Sequence, residues 1–68
     1  MDRLKKILEI EDLVTKHPVI SKSHGIFFRS GFCYMSLLFN GEYNDVWIRT
    51  MSDEQLDIVL NNLHKWCI

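Results

Sequence analysis

The first quarter of the chain carries a helical period. Between Asp2 and Lys16 the apolar positions are Leu4, Ile7, Leu8, Ile10, Leu13 and Val14, an i, i+3, i+4 spacing that lines one side of an α-helix. His17-Pro18 closes that helix, because proline pushes the residue before it out of the α region. Val19 to Ser23 then reads as a connector. Glu11 is the anomaly, since at about 100° per residue it falls between Leu4 and Ile7, inside the apolar arc. A place at the sheet rim, where it reaches water, is favoured over pairing with a histidine such as His24, because carboxylates are almost never fully buried unpaired.

From Gly25 onward the period changes to two. Asn40-Gly41 lies between apolar segments and is the strongest short-range hairpin signal, since both central residues of a type I′ turn need positive φ. Ser30-Gly31 marks a second, weaker two-residue turn. Together they predict three antiparallel strands over residues 25–29, 32–39 and 42–50. In that register Phe28 opposes Cys33, Phe27 opposes Tyr34 and Ile26 opposes Met35. Across the second hairpin Leu37 opposes Asn44, Met35 opposes Val46, Tyr34 opposes Trp47 and Cys33 opposes Ile48. Alternation then sorts the side chains into two sets. One holds Ile26, Phe28, Cys33, Met35, Leu37, Phe39, Val46 and Ile48, a core face. The other holds Phe27, Arg29, Phe32, Tyr34, Ser36, Leu38, Tyr43, Asp45, Trp47 and Arg49.

A last helix opens at Ser52, an N-cap, with Asp53 and Glu54 in its first turn and Gln55 at the capping-box position. Its apolar stripe is Leu56, Val59, Leu60, Leu63, Trp66 and Cys67. The expected fold is α+β, a two-layer sandwich in the order α-β-β-β-α. It has a three-stranded antiparallel meander and two helices on one face, as a single domain over residues 1–68.

That order resembles the double-stranded-RNA-binding domain, over the whole chain in element order and nowhere in motif. The family's lysine cluster at the start of its last helix corresponds here to Met51-Ser52-Asp53-Glu54-Gln55, which is acidic. Its groove-reading first hairpin loop corresponds to the tight Ser30-Gly31 turn. RNA binding in that mode is therefore not expected.

Composition narrows the classes further. Lys+Arg 8 against Asp+Glu 9 gives a net charge of −1, which excludes a bulk electrostatic magnet for nucleic acid or anionic membrane. No apolar run approaches the ~20 residues of a membrane span. The N-terminus lacks a signal peptide's apolar core, and two cysteines are too few for a small secreted scaffold. The expected location is the cytoplasm.

Metal and enzyme chemistry find little support. His64 and Cys67 lie one turn apart on the last helix, with Cys33 and His24 as the nearest further ligands. His24 stands about 13 Å along the sheet from Cys33, too far for a shared tetrahedral site. Both cysteines sit in apolar surroundings, which raise a thiol's pKa and make it inert. No glycine-rich phosphate loop is present, and a chain this small leaves little room for a pocket of even about 300 Å³. The expectation is a non-enzyme with no catalytic residue, metal or cofactor.

The second sheet face is the sharpest candidate. It aligns Phe27, Tyr34 and Trp47 in one rank and Arg29, Phe32 and Arg49 in the next, with Leu38 beyond. Two short helices can cover one face of such a sheet, hardly both, and contiguous exposed apolar patches mark interaction sites. The chain is therefore expected to be a small protein-binding module that docks through Phe27, Arg29, Phe32, Tyr34, Leu38, Trp47 and Arg49. It fits an inhibitor, adaptor or accessory regulator of the kind phages encode. It pairs with a hetero-partner or with itself, a homodimer bringing the Phe27–Tyr34–Trp47 rank onto its own copy. A single-stranded nucleic-acid binder that stacks bases on the same platform is the alternative.

Overall fold

The computed structural model describes Asp2–Cys67. Its elements are α1 (Asp2–Lys16), α2 (Pro18–Ser23), β1 (Ile26–Arg29), β2 (Phe32–Phe39), β3 (Glu42–Trp47), a single 3₁₀ turn (Ile48–Thr50) and α3 (Asp53–Trp66). The sheet order is β1-β2-β3, antiparallel throughout. This is the α-β-β-β-α order the sequence predicts, with one short helix added.

Both hairpin turns form as their residues dictate. Ser30 and Gly31 have φ of 55° and 83°, and Asn40 and Gly41 have 50° and 82°, the positive pair a type I′ turn requires. They set the register with Ile26 opposite Met35, Phe27 opposite Tyr34, Tyr34 opposite Trp47 and Leu37 opposite Asn44. Ser52 Oγ accepts the Gln55 N–H at 3.2 Å and caps α3.

The core lies between one sheet face and two helices. Ile7, Ile10 and Val14 of α1, with Leu56, Val59 and Leu63 of α3, close over Ile26, Cys33 and Ile48. Removing a side chain of that size from water stabilises the fold by roughly 1.5–3 kcal/mol. Leu60, Trp66 and Cys67, at the margins of the α3 stripe, are only partly buried. The helices run in the same direction, tied by Arg3–Asp53 and Lys6–Asp57 ion pairs, both at 2.8 Å, and by a Glu9–His64 hydrogen bond at 2.6 Å. All three stand in solvent, so they fix alignment more than they add stability.

Four expectations change. The Val19 to Ser23 connector is helix α2, because Pro18 occupies its first turn, where a missing N–H costs nothing and the fixed φ already suits a helix. The third strand ends at Trp47 rather than at residue 50. There the chain turns, with Thr50 Oγ1 donating to the Trp47 carbonyl at 2.7 Å and the Met51 N–H to the Ile48 carbonyl at 3.1 Å. Ile48 reaches the core through this turn instead of opposite Cys33. Phe28 and Phe39 lie on the core face yet are 41% and 51% exposed: Phe39 stands at the Asn40-Gly41 hairpin end, and Phe28 lines an open groove with Val14 and Pro18. Glu11 neither reaches out alone nor meets His24. Its carboxylate takes two hydrogen bonds from Arg49, Nε at 3.2 Å and Nη2 at 3.1 Å.

Candidate docking face

Among the described residues no element lies over the face away from the helices. Phe27, Tyr34, Ser36 and Trp47 are half-buried, and Arg29, Phe32, Leu38, Tyr43 and Asp45 are exposed. Strand pairing places Phe27, Tyr34 and Trp47 in one rank, as the register predicts. Phe27 stacks on Tyr34 with ring centroids 6.1 Å apart, and Phe32 meets Trp47 edge-on at 5.2 Å. Aromatic pairs in these geometries attract beyond their area burial. These two contacts hold the rings of the face in place, Phe32 of the next rank steadying Trp47.

Arg29 straps across this platform. Its guanidinium sits 4.8 Å above the Tyr34 ring and 5.8 Å from that of Phe27. Its Nη1 then donates to Asp45 Oδ2 at 3.0 Å, while Ser36 Oγ donates to Asp45 Oδ1 at 2.8 Å. The site's one strand arginine is thus neutralised by a carboxylate of the same face.

Arg49 does not join it. Because β3 ends at Trp47, the 3₁₀ turn carries Arg49 to the helical side. There the hydrogen bonds and charge of Glu11 hold its guanidinium protonated and raise its pKa above the ordinary value. Its carbonyl accepts from Arg3 Nη2 at 2.8 Å. The expected second cation beside Phe32 is absent from the rank for this reason. Leu38 and Tyr43 face each other across β2 and β3 at the far end, 59% and 75% exposed.

Ser36, Asp45 and Tyr43 belong to this face but not to the contact set expected from the sequence, where Asp45 counts only as a charge against nucleic acid. The signal was there: the register sets Ser36 opposite Asp45 and Leu38 opposite Tyr43. What it could not supply is the diagonal reach of Arg29.

The residues weighed for metal or nucleophilic chemistry lie apart. His24 stacks on Trp66 at 3.7 Å, and His64 Nε2 meets Glu9 Oε2. Burial, with a smaller contribution from the charge of Glu11, pushes the Cys33 thiol up to about 12, so it stays protonated at neutral pH. Among the described residues no group of three or more His, Cys, Asp or Glu gathers to hold a metal ion. Nor is any helix among them long and apolar enough to cross a membrane.

One size expectation is corrected. Depressions of about 650 and 510 Å³ flank α2, the larger lined by His17, Pro18, Ile20 and Trp66, the smaller by Val14, Lys22, Phe27 and Phe28. They exist because the unforeseen α2 stands beside the sheet edge and leaves a groove on each side. Both are lined mostly by apolar surface.

Compared with protein-family models, curated proteins and solved structures, the chain matches none.

Proposed function

We propose that this chain is a small protein-binding module, an inhibitor, adaptor or accessory regulator. Its open sheet face docks on an apolar surface of a partner protein. The observation that carries the reading is the fate of the arginines. Arg29 is bound by Asp45 and Arg49 by Glu11, so the exposed aromatic platform has no uncommitted strand cation. Bases stack well on aromatic rings, but phosphate attraction supplies most of the affinity in sequence-independent binding. With its arginine paired and Lys22 only at its margin beside Phe27, the aromatic face favours an apolar protein surface, where the rings bury area.

The anchors are Phe32 and Leu38, the most exposed apolar residues of the proposed set, with Tyr34 and Trp47 as the preformed floor. Their rotamers are already restricted by the stack and the edge contact, which lowers the cost of ordering on binding.

The test compares the parent with Phe32→Ser/Leu38→Ser as bait in extract of the cells the protein comes from, at low and high salt. The expected result is a partner protein retained by the parent at both salt levels and lost from the double variant. Equal retention by both baits would contradict the reading. So would tight binding of the parent to oligothymidine that weakens steeply with salt, which identifies the nucleic-acid alternative.

A further inference from the structure

We propose that the outer edge of β3 is a strand-pairing site for a second copy of this chain, the two β3 strands meeting antiparallel about a two-fold axis at Asn44. This goes beyond the docking face, because edge pairing leaves that face open and sets two such faces side by side on one continuous sheet.

The two edges of the sheet differ. The β1 edge is flanked by α2. Among the described residues β3 has β2 as its only neighbour in the sheet, and Glu42, Tyr43, Asn44 and Asp45 are all exposed. The tight Asn40-Gly41 turn closes on Phe39 and Glu42, so Glu42, Asn44 and Val46 direct their backbone groups toward β2. Tyr43 and Asp45 direct theirs outward. No hydrogen bond to those outward groups exists among the described residues.

An open edge of this kind is ordinarily blunted by lysine, proline or a bulge. β3 has no lysine, proline or bulge: its sequence is Glu-Tyr-Asn-Asp-Val-Trp, and its pairing with β2 is unbroken from Glu42 to Trp47; its charges are Glu42 and Asp45, which oppose a self-pairing only in registers that set carboxylates against each other. It is also straightforward to match with itself. A two-fold axis normal to the sheet opposes residues of the same face. With the axis at Asn44, Tyr43 meets the copy's Asp45 and Glu42 meets the copy's Val46. No like charges face each other, and the outward groups of Tyr43 and Asp45 exchange both backbone hydrogen bonds. With the axis at Asp45, two carboxylates collide. With it at Tyr43, Val46 and Trp47 run past the copy's turn unpaired. Charge and overlap therefore select one register and one occupant.

This differs from the face-to-face dimer that the aromatic rank alone suggests. The half-buried rings already pack within their own face, Phe27 on Tyr34 and Trp47 on Phe32, whereas the outward backbone groups of Tyr43 and Asp45 have no hydrogen-bond partner among the described residues.

Sedimentation equilibrium of the parent, Asn44→Asp and Tyr43→Pro tests the proposal, with circular dichroism checking that each variant folds. The parent is expected to dimerise at high micromolar concentration. Asn44→Asp, which sets two carboxylates on the axis, should raise the dimer dissociation constant about fivefold at low salt, with relief as salt is added. Tyr43→Pro removes an outward N–H that the monomer does not use, and should raise it ~10-fold or more.

Cross-linking fixes the register without depending on either variant. In a Cys67→Ser background Asn44→Cys should oxidise to a covalent dimer. Opposed non-hydrogen-bonded residues lie about 4.5 Å apart at Cα, within disulfide reach. Leu38→Cys, on the open face, should oxidise several-fold more slowly. A parent that stays monomeric, unchanged dissociation in both variants, or faster cross-linking at Leu38→Cys than at Asn44→Cys would each overturn the proposal.

Discussion

Ile26 and Phe27 are adjacent in β1, both apolar, and they end in opposite environments. Ile26 is fully buried against α1 and α3, while Phe27 keeps one side open beneath the strap of Arg29. The same contrast runs along β2, where Cys33 is sealed and Phe32 is 47% exposed. Both faces carry large apolar side chains, the open one with Arg29, Ser36 and Asp45 among them, and the difference lies mainly in the supply of cover. The stripes of α1 and α3 each present one set of large side chains, and the first face consumes both. A sheet apolar on two sides with helices for one leaves the second side to stabilise itself by ring stacking, or to find another molecule.

The largest expected effect separates the two faces directly. Ile26→Ala should cost roughly 2–5 kcal/mol of unfolding free energy, because the cavity forms in a closed layer. Phe32→Ala should cost less than about 1 kcal/mol in the isolated chain, since the ring already meets water. Urea unfolding of both measures it. Similar losses in the two would mean that the second face is also closed.

The buried thiol gives a pH signature. Cys33 ionises near its ordinary 9.0 once unfolded but only at about 12 when folded. Between those values the unfolded chain releases a proton that the folded chain keeps, so stability falls as pH rises through that window. The Cys33→Ala variant should show a shallower fall in its urea midpoint, with a lower starting stability.

Ser21 lies wholly within the fold, and its hydroxyl has no hydrogen-bond partner. Ser21→Ala removes that uncompensated group from a helix and should raise stability by about 1 kcal/mol, read as a higher melting temperature. Asp45→Asn should alter stability least, by under about 1 kcal/mol, because the Arg29–Asp45 pair is exposed. Its effect belongs to specificity. Freeing Arg29 should give oligothymidine a salt-sensitive affinity that the parent lacks, measurable by Trp47 fluorescence.

The fold was legible where one residue type permits one conformation. Asn40-Gly41 and Ser30-Gly31 pinned the register, and the register alone sorted the faces. Pro18 was legible only in half, since the same ring that ends α1 also suits the start of α2. Arg49 was misplaced because strand alternation was extended past Trp47, where Thr50 and Met51 close a turn that no periodicity announces. The Glu11 anomaly and the Arg49 misplacement have one cause: each is the other's partner, across a sequence distance that no local pattern spans. Met51, almost fully buried, carried no sequence signal beyond its type.

The most direct test of the open face is photo-crosslinking in the cells the protein comes from. A photoreactive phenylalanine is placed in turn at Phe32, at Leu38 and at Ile58, an exposed position on α3. The account predicts that Phe32 and Leu38 capture the same partner protein and that Ile58 captures nothing in common with them. Equal capture of that partner from Ile58, or capture of nucleic acid from Phe32, would contradict it.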